Sequence, residues 1–341
     1  MGDDAPVVPR QAPGWKFWAR ILVSVALLGV LVAKAPNPDE LLPNRHHLLT
    51  ALLLGTALLT TLLGVILSAW RWQRVLFVFD APVALRPLIG HYLAGQFVGN
   101  VLPSTIGGDV LRVTRASATV DSSPVAFGSV VLERLTGFVA LPALVFLGFA
   151  LRPSLLDVDR AWITLLIAGI TLVVLVIVLF LAGHPRIAGR FAEHENWTKF
   201  IGAVHVGVDR LRREPRQLVP VLGTALIYQL SVVVTVALIF RTLDMPVPLA
   251  ATLAYVPAVS MLQVLPLSFN GLGVREGALV LFLQPWAVGS GQAIAAGLLW
   301  FMCTLIVSSL GAPAFAIGQR RPAGSGSSDE PRDTDTSETA V

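Results

Sequence analysis

The chain has 341 residues, of which 55% are hydrophobic and 13% charged, with a mean hydropathy of +0.73; no soluble domain needs that much apolar surface, so the composition excludes one and predicts an all-α polytopic membrane protein. The formal charge of +4 understates the basic excess of the body, because residues 322–341 hold five acids and one arginine and leave 24 basic against 16 acidic residues elsewhere. Basic residues of such a chain sit at membrane ends and meet anionic headgroups, so the excess does not read as nucleic-acid binding.

Residues 1–15 are polar and proline-rich and read as a disordered tail. Trp15, Phe17 and Trp18 beside Lys16 and Arg20 predict an interfacial anchor leading into a first span at about 16–35. No small-x-small site precedes Pro36-Asn37-Pro38, so a cleavable signal peptide is not expected. A second span follows at about 47–70, closed by the aromatic and basic run Trp70-Arg71-Trp72-Gln73-Arg74. Residues 88–103 are apolar but carry His91, Gln96 and Asn100, which a helix facing lipid rarely holds. They read as the descending limb of a re-entrant hairpin, 88–118, whose tip holds Gly107 and Gly108. Broken backbone at that depth is tolerated only against protein or water, so the hairpin predicts a cavity.

A third span covers about 124–150 and contains Glu133-Arg134. The fourth, about 161–182, is almost purely aliphatic. Residues 183–216 carry seven Lys/Arg, and the spacing of Phe200, Val204, Val208 and Leu211 predicts an amphipathic surface helix. A fifth span at 217–240, a second broken segment at 249–284 and a last span at about 292–316 complete the membrane body. Residues 317–341 form an acidic, Gly/Ser-rich tail that reads as disordered.

The two broken segments echo one another. Each begins Leu-Pro (102–103 and 265–266), passes a serine and two glycines, and opens a new apolar segment bearing an acid and an arginine. Paired Gly/Pro-interrupted segments in two halves point to a binding site in transporter-like folds. The chain accordingly divides into two units of span, span, hairpin and span, residues 16–150 and 161–316. With Arg71, Arg74, Arg86, Arg112, Arg115 and the 183–216 cluster counted as cytoplasmic, the units are inverted and both termini are cytoplasmic.

Ionisable groups within membrane segments are functional candidates by default. Arg112 and Arg275 follow the two tips, where helix N-termini and guanidinium forks suit a phosphate. Asn100, Ser104, Gly107, Gly108, Asn270, Gly271 and Gly273 are the expected substrate-lining positions. Asp109, Glu133, Arg134 and Glu276 are the expected gating or ion-pair groups. The competing reading is structural: Asp109 pairs with Arg112 at i,i+3, and Glu133 takes Arg112 or Arg275 as its partner. Glu133 and Arg134 are adjacent, about 100° apart on a helix, so one groove is not expected to receive both. Asp157-Val158-Asp159 lacks any surrounding strand-helix pattern and reads as a solvated loop. Gly-x-Gly at 271–273 follows a membrane segment and is no dinucleotide fingerprint, the six histidines show no metal spacing, and the lone Cys303 allows no intrachain disulfide.

At Asn100, Leu102-Pro103, Gly107-Gly108-Asp109, Arg112, Glu133-Arg134, Pro266, Gly271, Gly273, Arg275 and Glu276 the chain resembles the lysylphosphatidylglycerol synthase-type transmembrane family, often called flippase-like. The resemblance implies a lipid-handling membrane domain, expected here without the aminoacyl-transferase domain, and it does not imply lysyl transfer. The expected function is a plasma-membrane translocase for an anionic phospholipid or a polyprenyl-phosphate lipid, working by alternating access. It is expected to need no metal or cofactor and to partner with a second copy or a separate lipid-modifying enzyme. The alternatives are a transferase acting on a polyprenyl-phosphate lipid, with Asp109, Glu133 or Glu276 as acid/base, and a proton-coupled carrier of a small solute.

Overall fold

The computed structural model describes residues 47–101, 107–183, 195–265 and 268–318, which form eleven α-helices and no strand. These are α1 (His47–Val78), α2 (Leu85–Val101), α3 (Gly107–Val120), α4 (Ser123–Leu151), α5 (Ala161–Gly183), α6 (Glu195–Arg213), α7 (Leu218–Thr242), α8 (Leu249–Gln263), α9 (Val274–Leu283), α10 (Ser290–Ser309) and α11 (Gly311–Gly318). Five of them, α1, α4, α5, α7 and α10, are long and apolar enough to cross a membrane, so the chain is a multi-pass membrane protein. The expected first span, the expected N-terminal tail, residues 319–341 of the expected C-terminal tail, and Ser104 and Pro266 at the two breaks lie outside the described residues; residues 317 and 318, expected to be tail, belong to α11.

The helix boundaries have local causes. Ser122 is extended (φ −154°, ψ 108°) and its hydroxyl accepts from the Val125 N–H at 3.4 Å, while Pro124 sits in the first turn where no N–H is needed. At the second break Asn270 and Gly271 take left-handed backbone (φ 49° and 73°), and Gly273 (φ 83°) turns the chain into α9. Glu276 then reaches back to accept from the Gly273 N–H at 2.6 Å, the acid half of a capping box.

Burial separates the helices by role. Some 61% of the apolar window of α4 is covered by protein, against 17% for α1 and α5, so α4 is the interior helix and α5 presents mostly aliphatic surface. Around it the packing is reciprocal. Helix α1 packs most extensively on α7; the α8 limb of the second hairpin lies on α4, and the α2 limb of the first lies on α10. Limbs α3 and α9 in turn lie on α4 and α10.

Gly148 lets α4 and α8 approach: a Cβ there would stand 2.8 Å from both Ala250 O and Ala254 N. Gly148→Val is therefore expected to force the two helices apart, costing about 1–3 kcal/mol. A fall in apparent melting temperature in detergent checks this; an unchanged value would mean that the crossing is loose.

Three expectations change. The second span does not end at Trp70: α1 runs on to Val78, burying Arg71 and Trp72, and the Trp72 indole donates to Ser129 Oγ at 2.9 Å. Tyr92 of α2, Ala116 of α3 and Val130 of α4 belong to the same buried apolar cluster as Trp72, so this part of α1 lies under protein and not at a membrane interface. Arg71 and Arg112 are consequently interior residues and cannot be counted as loop charge. The last span is split, α10 ending at Ser309 and α11 starting at Gly311, whose backbone lies against the Leu93 carbonyl of α2. The expected amphipathic helix is α6, with Leu211 buried and Gly207 set against Leu132 of α4.

Candidate functional site

A cavity of about 600 Å³ lies where the two halves meet, lined by residues of α1, α2, α3 and α4 and by residues of α7, α8 and α10. That size is in the range of sites for small ligands and headgroups, about 300–1,000 Å³. Asn100 at the end of α2 and Asn270 in the second break face each other across it, the Asn270 amide donating to Asn100 Oδ1 at 2.5 Å. The C-terminal end of α2 thus touches the second break.

The chemistry of the cavity is concentrated on Glu133, whose side chain is 1% exposed. Arg71 Nη2 donates to its Oε1, and Arg112 Nη1 and Nη2 both reach its Oε2 at 3.3 Å. Asp109 accepts from Arg112 Nη1 at 3.4 Å through Oδ1 and pairs with Arg134 Nε at 2.5 Å through Oδ2. Three guanidinium groups against two carboxylates leave one net positive charge. An uncompensated charge in a low-dielectric interior is costly, so the cluster favours an incoming anion.

Aromatic rings hold the arginines in place. The Arg112 guanidinium carbon lies 4.4 Å from the centroids of both Trp72 and Tyr92, and that of Arg71 lies 4.9 Å from Tyr228. Small residues make the room. A Cβ on Gly137 would stand 2.9 Å from Arg71 Nη1, and one on Gly95 would stand 2.7 Å from Arg112 Cγ. Arg71 Nε and Nη1 and Arg112 Nε are buried and make no protein hydrogen bond. Planar donors left over in this way match the oxygens of a phosphate.

The second break is built differently. Arg275 donates from Nε to Glu276 Oε1 at 3.1 Å, lies over Trp300 and Phe301 at 5.5 and 5.2 Å, and is almost fully buried. Gly297 of α10 accommodates Glu276, since a Cβ there would be 2.8 Å from Glu276 Cγ. Arg112 is the sixth residue of α3 and Arg275 the second of α9, so relative to their helix starts they stand about one turn apart. The similar motifs therefore place their arginines at different positions along the new helix.

Of the residues singled out in the sequence, Asn100, Gly108, Asp109, Arg112, Glu133, Arg134 and Asn270 line the cavity. Gly107, Gly271, Gly273, Arg275 and Glu276 are not among the residues that line it, and Ser104 lies outside the described residues. Glu133 and Arg134 both contribute to one cavity wall, contrary to expectation: Glu133 points to the buried arginines, while the half-exposed Arg134 reaches Asp109 along the side. Arg112 proves to be one partner of Glu133. The other, Arg71, was missed, together with Tyr92 and Tyr228. The available signal was the apolar run Val75 to Phe79 beyond Arg74, which shows that the helix continues past the basic residues. Among the described residues no three metal-ligating side chains come together.

Comparison with protein families matches residues 17–312 to the family described as the lysylphosphatidylglycerol synthase TM region. Searches of curated proteins and of solved structures give no match.

Proposed function

We propose that this chain, which belongs to the lysylphosphatidylglycerol synthase TM region family, is a lipid translocase that moves an anionic or phosphate-linked lipid between leaflets. The observation that carries this reading is the Arg71–Glu133–Arg112 cluster, buried, ring-stacked and holding one excess positive charge in the wall of a cavity shared by both halves. A charged headgroup crossing hydrocarbon alone faces a barrier of several kcal/mol, which a polar path at mid-depth removes. The phosphate is received by Arg71 and Arg112 while the hydrocarbon chains remain in the bilayer.

Alternating access follows from two inverted units, α1–α4 and α5–α10, rocking about α1 and α7. The reciprocal packing of α2 on α10 and α8 on α4 supports this arrangement. The Asn100–Asn270 contact then belongs to the state in which the breaks are closed on each other. The protein sits in the plasma membrane with the α6 side cytoplasmic and works beside a separate enzyme that makes its lipid, or beside a second copy. Single cysteines at Ser154 and Glu214, introduced after removing Cys303, are expected to label from opposite sides of sealed vesicles, Glu214 from the cytoplasmic one. Labelling from one side only would break the proposed topology.

The transferase reading needs a carboxylate free to move a proton. Asp109 is held by Arg112 and Arg134, Glu133 by Arg71 and Arg112, and Glu276 by Arg275 and the Gly273 N–H. That engagement favours translocation over chemistry, and over proton coupling through Glu133. The test is reconstitution into liposomes with an anionic phospholipid or a polyprenyl-phosphate lipid. Headgroup-modifying reagents are expected to reach the inner pool faster than in empty liposomes, with the lipid masses unchanged. A new lipid product without headgroup movement would replace this reading with the transferase.

A further inference from the structure

The cavity also constrains the part of the headgroup beyond the phosphate. Among its described lining residues the only charged side chains are Arg71, Asp109, Arg112, Glu133 and Arg134, all in the one cluster. The remaining polar wall is neutral and drawn from both halves, including Thr61, Gln96, Gln229, Ser260, Gln263 and Thr304. Its hydroxyls are already used as donors: Thr61 to Ala57 O at 2.7 Å, Ser260 to Val256 O at 3.0 Å and Thr304 to Trp300 O at 3.0 Å. A hydroxyl that donates to its own helix can offer its lone pairs to the cavity, and the glutamine amides add both donors and acceptors.

Such a wall suits a ligand rich in neutral O–H groups. It does not suit an ammonium, because both oxygens of Asp109 and both of Glu133 are taken by arginines. One net positive charge likewise matches one phosphate diester and no more.

We infer that the substrate is a lipid with a single phosphate diester and a neutral polyhydroxyl headgroup, such as a glycerol, an inositol or a sugar, and not an aminoacylated or amine-bearing one. This rests on the translocase reading for its role but makes a separate claim about recognition. The experiment is a competition for retention by the purified full chain in nanodiscs, read by native mass spectrometry. Phosphatidylinositol, phosphatidylethanolamine and lysyl-phosphatidylglycerol with the same acyl chains are supplied in equal amounts.

Phosphatidylinositol is expected to be retained at least about 10-fold over both amine-bearing lipids, the size of two or so well-made hydrogen bonds. Thr304→Val and Gln263→Leu are each expected to reduce its preference over phosphatidylethanolamine by about threefold or more. The two substitutions are made separately so that misfolding of one does not decide the outcome. Equal retention of the three lipids, or a preference for the lysyl lipid, would overturn the inference. Selective retention without leaflet movement would sustain the inference while removing the translocase reading. Leaflet movement without selective retention would do the reverse.

Discussion

Replacing Glu133 with leucine is expected to be the most destabilising single change in the membrane body, at about 3–5 kcal/mol. The carboxylate is fully buried and is the shared partner of two buried guanidinium groups, which the substitution leaves facing each other in a low-dielectric interior. Glutamine keeps the volume and one acceptor oxygen but not the charge, so it is expected to fall between leucine and the native residue. Arg134→Ala provides the contrast: its side chain is half-exposed and its pairing with Asp109 is screened, so its loss is expected to be about 1 kcal/mol or less. The apparent melting temperature of each purified variant, with the monodisperse fraction after extraction, gives the ranking. A Glu133→Leu protein that melts with the native one would show that the arginines are neutralised by other means.

The largest effect on transport is expected from Arg112→Met. Arg71 keeps its contact with Glu133, so the variant is expected to insert and remain monodisperse. What changes is the balance of charge: the cluster falls from one net positive charge to none, and the unpaired Nε donor of Arg112 is removed. At about 1.5–3 kcal/mol for one charge-assisted hydrogen bond, the rate should drop at least about 10-fold. Arg112→Lys should restore only part of it, because an ammonium between Trp72 and Tyr92 neither stacks as a plane nor offers a fork. Initial rates of headgroup exposure, normalised to reconstituted protein, decide this. If the methionine variant aggregates while the lysine variant is fully active, Arg112 serves the fold and not the substrate.

Much of the architecture was legible because a membrane imposes few solutions on a sequence. The aliphatic run of α5 could be nothing but a span, and Pro, Gly and Asn interrupting apolar segments could only mean broken helices against protein. The partnership of Arg112 with Glu133 was within reach for the same reason, since neither could face lipid alone. Arg71 was misread because an arginine between two tryptophans is also what a membrane-interface anchor looks like. Only the packing of α2, α3 and α4 over that end of α1 distinguishes the two cases. Symmetry alone does not set where Arg275 points. Its motif repeats that of Arg112, but its position in the first turn of α9 and the acid beside it turn it toward Trp300 and Phe301. A local pattern encodes the break in the helix; the depth at which a side chain then emerges depends on where the new helix starts.

The central claim is that a headgroup passes between the two breaks as they part. It is tested most directly by tying them together. Cysteines at Asn100 and Asn270, in a chain whose only native thiol (Cys303) has been removed, place two reactive groups where the amides now touch. A short, reducible bifunctional thiol reagent bridging them is expected to stop headgroup exposure in proteoliposomes, and reduction of the bridge is expected to restore the rate. Unchanged transport with the bridge fully formed would contradict the account.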